Sequence, residues 1–283
     1  MTPNEGIHLD VPFDDYRGWD AVGVHDLMLV NRSLAHFTNS RENPIAPTEA
    51  MRFGTAAHSW ILTPELAPDE VMVAPKIDRR TKAGKEAWAD FQAMSVAKTI
   101  VSEEEAHHLA KMANAVATSP AARNLLDQAP LREVSFLRTD PEADVVCRGR
   151  ADAMAPDCSW IVDLKTTMNA SPGEFARTAA KFNYHAQAAF YLDHLTALTE
   201  HDSDSPANHL PTFMFVVVEK LPPYGVGVYY LDEEAIEAGR TLYRRALNSY
   251  STFAKGQMLT AGYNSSVVPD EISLPRWAIN AAE

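Results

Sequence analysis

The sequence predicts a mixed central β-sheet flanked by helices, an α/β or α+β core carrying an N-terminal helical region. Three observations carry this expectation. Hydrophobic spacing is helical in most segments up to about residue 118 and changes near 131 to the short apolar runs of strands. Three such runs, "LREVSFLRT", "DVVCRGRADAM" and "SWIVDLKTT", follow one another, joined around Pro141 and around Pro156–Asp157. A long helical segment then separates them from two further strand-like runs, so the strands are bracketed by helices.

In chain order, residues up to about 20 read as irregular. Leu27, Val30, Leu34 and Phe37 lie at helical spacing within 24–38. A loop with Pro44 and Pro47 follows, and Thr48 can cap a helix through "EAMRFGTAAHSWIL" to about 62. Pro64, Pro68 and Pro75 make 63–82 extended and loop-rich. Two more helices are expected near 83–98 and 103–118, the second opening on Ser102 and Glu105 at capping-box spacing. After the three strands, Ser171, Pro172 and Glu174 offer an N-cap, a first-position proline and a glutamate three residues after the cap, for a helix to about 198. A polar loop, "TEHDSDSPANHLP", leads to the strand "TFMFVVVEK", a turn at Pro222–Pro223 and the strand "GVGVYYL". Asp232 can cap a last helix to about 254, and the tail reads as loop.

The composition, 46% hydrophobic and 22% charged over 283 residues, is that of a globular protein with a sizeable core. No apolar run reaches the length of a membrane span, and the start lacks a signal-peptide pattern, so a cytoplasmic location is expected. Cys147 and Cys158 cannot supply a four-cysteine metal site; a disulfide across the hairpin is conceivable, and free thiols are the simpler reading. A formal net charge of -13 argues against a nonspecific nucleic-acid coat. It leaves room for local DNA binding, because acids gathered at a metal site shift the balance.

The stretch 147–167, "CRGRADAMAPDCSWIVDLKTT", places charges beside apolar strand residues. Asp163 and Lys165, two apart on a strand, share a face, and Leu164 points to the opposite layer. A four-residue turn at Ala155–Cys158 would pair Asp152 with Ile161 and make it the diagonal neighbour of Asp163, roughly 7–8 Å away. A one-residue slip would turn Asp152 to the wrong face. Two such carboxylates can hold a divalent cation, and a lysine beside it can orient water, which is what phosphodiester hydrolysis needs. An isolated D-x-K triplet is more often a surface ion pair; Asp152 tips the reading toward a site.

"GRAD" followed by "DLK" resembles the core of the PD-(D/E)xK nuclease superfamily. "GTAAH", ending in His58, and "QAAFY", Gln187 to Tyr191, resemble the histidine and glutamine–tyrosine motifs of RecB-type nucleases. "RRTKAGKEAW" at 79–88 and "LPRWA" at 274–278 look like the phage and prophage branch represented by the RecE (exodeoxyribonuclease VIII) nuclease domain. The resemblance implies a single nuclease domain over 1–283, with a mainly helical portion 1–120 carrying His58 and the nuclease core in 121–283. It implies Asp152, Asp163, the Leu164 carbonyl and His58 as ligands of magnesium, with manganese as substitute, and Lys165 as the water-orienting residue. Gln187 and Tyr191, on one helix face with Tyr184, would steady the site or contact the DNA end. It further implies digestion of linear duplex DNA from the 5′ end, a ring-shaped homo-oligomer such as a tetramer, and a RecT-like single-strand annealing partner.

Other positions carry open alternatives. Glu133 can add a carboxylate to the site or be an edge acid. Arg148 and Arg150, expected on the face of Asp152, can neutralise it, reach a DNA phosphate or form structural salt bridges. Lys76, Arg79, Arg80, Lys82 and Lys85 are the main basic cluster, either a phosphate grip or a solvated loop. Thr166 and Thr167 can bond a phosphate or end the strand. Two rival functions stand: a structure-selective endonuclease on the same core, and a catalytically silent DNA-binding module. An iron–sulfur nuclease is excluded by the cysteine count.

Overall fold

The structure is a computed structural model that describes residues 2–199, 211–257, 262–263, 269–274 and 276. The first half contains β1 (Gly6–His8), α1 (Phe13–Arg17), α2 (Val24–Arg32), α3 (Leu34–Glu42), α4 (Glu49–Leu62), α5 (Ala67–Glu70), β2 (Val71–Val73), α6 (Lys82–Met94), β3 (Thr99–Val101), α7 (Glu103–Thr118) and α8 (Pro120–Gln128). The second contains β4 (Leu131–Asp140), β5 (Val145–Met154), β6 (Trp160–Thr167), α9 (Pro172–Lys181), α10 (Tyr184–Thr199), β7 (Thr212–Glu219), β8 (Val226–Tyr230) and α11 (Glu233–Ala254).

Six strands form one sheet in the order β1-β4-β5-β6-β7-β8, antiparallel except for the β6–β7 pair, which the α9–α10 segment connects. Strand alternation sends side chains into two helical layers. On one side Leu27, Phe37, Phe175, Phe190 and Tyr243 of the helices meet Phe136, Ile161 and Phe215. On the other, Ala56, Leu109 and Leu125 meet Val162, Leu164 and Val216. Each fully buried Leu, Ile or Phe stabilises such a layer by about 1.5–3 kcal/mol. The predicted fold class is the observed one, and Leu164 lies in the layer opposite α10 as expected. Among the described residues no helix is long and apolar enough to cross a membrane.

Several local expectations change. The opening residues are ordered: β1 pairs with β4, and 13–17 are helical. The helix read at 24–38 is two helices, because Ser33 is extended (φ -176°, ψ 155°) and caps α3 through the His36 N–H. The helix read at 172–198 also breaks, at Phe182–Asn183, where Asn183 is left-handed with φ 59°. The Ser171 side chain makes no cap bond, and Glu174 pairs with Arg177 instead; Thr48, Ser102 and Asp232 do cap as predicted. The parallel β2–β3 pair and α8 lie in segments read as loop or left unassigned. Cys147 and Cys158 are buried free thiols. Residues 200–210 of the loop read at 199–211, and most of "LPRWA", lie outside the described residues.

Helix α10 is apolar around most of its circumference and runs buried between the sheet and α11. It carries His194, enclosed by Phe136, Phe190 and Tyr243. Burial and the nearby Arg138 push its pKa down to about 4, with Asp140 opposing and Arg244 adding to the depression. The folded value lies below the ordinary 6.5. The neutral ring's contribution is therefore complete above pH 6.5 and is lost as pH falls through about 4. The loss is on the order of 3 kcal/mol. Urea unfolding from pH 7 to 4 should show this slope and a shallower one in His194→Gln; parallel curves would assign the acid sensitivity elsewhere.

Candidate active site

The site forms where two ladders fail together. Arg132 pairs with Ala153 and Val134 with Ala151, but Glu133 and Asp152 between them are not bridged. Glu133 is left-handed with φ 51°, a conformation that costs a non-glycine residue about 1 kcal/mol or more. Alternation breaks here on both strands: Leu131 and Val134 pack into one layer although three apart, as do Ala151 and Met154. The break turns Asp152 away from the face of Arg148 and Arg150 and toward β6. On its other side, β5 holds β6 only through Ala153–Val162 and Met154–Ile161. The hairpin register therefore differs by two residues from the one expected, with Asp152 directly opposite Asp163. An even shift preserves the face, so both acids still point inward.

Parting the strands frees the Leu164 peptide, and site residues satisfy it. Its N–H donates to Asp152 Oδ2 at 2.7 Å, and its carbonyl accepts from His58 Nε2 at 3.0 Å. His58 Nδ1 lies 3.5 Å from Asp152 Oδ1. The ring reaches this point from α4, whose Ala56 and Ala57 are buried in the far layer. Burial disfavours the charged imidazole, yet the Asp152 charge and hydrogen bond outweigh it and carry its pKa up to about 9. Burial opposes ionisation of Asp152 too, but His58 holds its carboxyl below the usual value.

The second acid belongs to a separate hydrogen-bonded group. Asp163 Oδ2 is 2.6 Å from Lys165 Nζ, which donates to Gln187 Oε1 at 3.2 Å; Gln187 Nε2 closes the ring onto Asp163 Oδ1 at 2.7 Å. The ammonium also sits 4.3 Å from the Tyr184 ring centroid. Burial raises the Asp163 pKa against the pull of Lys165, while Lys165, despite burial, is raised by Asp163 and Asp152. Two carboxylates that feel each other's charge are thus pushed in opposite directions, a pattern common at catalytic sites.

Tyr191 is buried and its hydroxyl spans the Arg150 peptide, accepting from the N–H at 3.1 Å and donating to the carbonyl at 3.0 Å. It fixes β5 two residues before Asp152 and does not present a group to DNA. Arg148 is a correction: its Nη1 is buried against the carbonyls of Tyr16, Arg17 and Trp19 at 2.7–3.1 Å, closing the end of α1, and cannot reach a phosphate. Arg150 is likewise structural, with Nε 2.6 Å from Glu133 Oε2 and Nη1 on Val11 O and Ser135 Oγ. Arg80 pairs with Asp78, Lys82 with Glu86, and Arg79 stacks 4.1 Å from the Trp88 ring centroid; with Lys85 they are exposed. Thr167 bonds Asn169 at the strand end, and Thr166 is half-buried beside Lys165.

Donor atoms of His58, Glu133 and Asp152 lie within 4.8 Å of one another, the one such group among the described residues. Oxygen donors with one imidazole fit a hard divalent cation. Asp163 Oδ2, buried and paired with the Lys165 ammonium, keeps a further lone pair that a cation could use. Glu133 was the carboxylate the sequence left undecided. Its signal, a position opposite Asp152, exists only once the β4–β5 register is known.

Residues 27–262 match the model of a family described as "PDDEXK-like domain of unknown function (DUF3799)". No curated protein matches the chain. Among solved structures, one described as a "Putative exonuclease" from Eubacterium rectale superposes with a TM-score of 0.60 at 9% identity, covering 98% of this chain and 100% of that one. Another, SSO0001, covers 84% of this chain and 89% of its own at 13% identity, with a TM-score of 0.29. At these identities the first likeness is one of fold.

Proposed function

The chain belongs to the PDDEXK-like DUF3799 family, and on that premise we propose that it is a metal-dependent DNA exonuclease. It takes linear duplex ends, digests one strand from the 5′ end and leaves 3′ tails for a single-strand annealing protein, as the RecE-like motifs imply. The observation that supports this best is the meeting of Asp152, Asp163 and Lys165 with His58 and Glu133 where β5 and β6 part. His58 comes from the helical N-terminal portion and the acids from the sheet, so both portions act as one nuclease domain. The assembly we favour is a ring of copies, which would keep the enzyme on its DNA.

His58, Glu133, Asp152 and the Leu164 carbonyl would hold the cation, with Asp163 as the neighbouring carboxylate. Magnesium, or manganese in its place, would neutralise phosphate charge and make water acidic enough to attack at neutral pH. The chain's own part is positional. Asp163, Gln187 and Tyr184 hold the Lys165 ammonium still, so that it can orient the attacking water or bond a phosphate oxygen without reorganising. Tyr191 keeps Asp152 in place through the Arg150 peptide.

The test is digestion of linear duplex DNA labelled at its 5′ or 3′ end, with magnesium or EDTA, beside a closed circle. The expected result is magnesium-dependent loss of the linear form alone, with release from the 5′ end. Cutting of the circle would move the assignment to an endonuclease. Folded protein that cuts neither with magnesium nor with manganese would leave a DNA-binding module.

A further inference from the structure

Beyond Lys165 the site continues into two aromatic rings, of which the hydrolytic chemistry uses only the first, and that only to hold the ammonium. Tyr184, against the Lys165 ammonium, stacks on Phe182 with centroids 5.9 Å apart and planes 25° from parallel. Phe182 is 57% exposed, and the ammonium of the exposed Lys181 lies 5.4 Å from its ring centroid. Tyr184 is anchored from behind by stacking on Phe215 and by contact with Phe175. The chain is fixed as well as the rings. Asn183, left-handed with φ 59°, breaks α9 from α10, and its carbonyl accepts the N–H groups of Ala186 and Gln187. The turn that presents Phe182 to solvent therefore also begins the helix that presents Gln187 to Asp163.

A single exposed apolar side chain needs no explanation. Here the exposed ring ends a stack that starts on the group proposed to meet the scissile phosphate, with a second cation beside it. A nucleotide carries the complementary chemistry, an anionic phosphate joined to a flat π-surface. Resting on the nuclease reading above, we propose that Phe182 and Tyr184 are a stacking platform for the nucleobase next to the scissile phosphate. The platform is sequence-tolerant, because every base has a π-face. It would favour an unpaired or frayed base over one still in the duplex, which suits an enzyme working at ends.

The experiment uses the full chain and a duplex carrying one unpaired 5′ 2-aminopurine, with calcium in place of magnesium to hold the complex unreacted. Wild type is expected to quench the probe on binding. Phe182→Ala and Phe182→Leu, the latter keeping apolar bulk without a π-face, should lose the quench and raise KM for DNA ends roughly tenfold or more, with a smaller change in kcat. Phe182→Trp should restore both. Equal quench and KM in wild type, Phe182→Ala and Phe182→Leu would overturn the platform. A wild type that digests linear DNA without quenching the probe would overturn it too, with the nuclease reading intact. If wild type neither digests nor binds DNA, both fall.

Discussion

Lys165→Met is expected to lower DNA hydrolysis by about 10²–10⁴-fold, the range for a positioned proton-handling group. It should also destabilise the metal-free protein, on the order of 3–5 kcal/mol, because removing one partner strands a buried charge. Lys165 Nζ is 2.6 Å from an Asp163 carboxylate that is 5% exposed, and no other cation is within ion-pair distance of it among the described residues. Asp163 can escape by taking a proton, which its raised pKa already favours. The destabilisation should therefore grow with pH. A protonated Asp163 would also be a poorer metal ligand. The double variant Lys165→Met/Asp163→Asn separates these effects. It removes the stranded charge and keeps an acceptor for Gln187 Nε2, so it should unfold at higher urea than Lys165→Met alone while remaining inactive. If the double variant were the less stable one, the ion pair would not be what holds Asp163 in place.

The parts of the site that sequence made legible are those set by parity. Asp163 and Lys165 are two apart on one strand, and Gln187 and Tyr191 are four apart on one helix, so their shared faces survived every error of register. The β5–β6 turn was read two residues too short, yet the even error kept Asp152 inward. Arg148 and Arg150 take the structural alternative left open for them, Arg150 as a salt bridge to Glu133, and their face was the less legible part. Their expected face was extrapolated from Asp152 through a point where alternation stops, and nothing in "RGRAD" announces a left-handed residue on the neighbouring strand. Glu133 could not be placed because its role depends on a strand pairing, which is non-local information. Helix breaks at Ser33 and Asn183 were likewise hidden. The apolar spacing runs through both, and only tertiary packing decides that one period ends and another starts. Side-chain caps were readable at Thr48, Ser102 and Asp232, and the capping box was misread at Ser171, whose N–H donates to Asn169 Oδ1 and is not left for Glu174.

Gly239→Ala should be strongly destabilising for so small a change. The Cβ it adds to α11 would lie 2.1 Å from the His185 carbonyl oxygen and 2.4 Å from its carbon, backbone atoms in the first turn of α10 that no rotamer change can move. Alanine gains about 1 kcal/mol in helix propensity over glycine. Overpacking against rigid backbone costs about 3 kcal/mol or more, so the clash wins. Gly54→Ala, in the interior of α4 with nothing within 4 Å of its new Cβ, is the control and should stabilise by about 0.5–1 kcal/mol. The two variants differ by one methyl group each and should shift the unfolding midpoint in opposite directions. The damage at Gly239 should also reach the chemistry. The turn of α10 that α11 would push holds Tyr184 against Lys165, and Gln187 follows it by three residues, so displacing it loosens the 2.7 Å contact between Gln187 and Asp163. A lowered kcat in Gly239→Ala at temperatures where it remains folded would tie the helix packing to Lys165. Wild-type stability in Gly239→Ala would show instead that α11 can slide, and that the close approach of the two helices is not what positions the site.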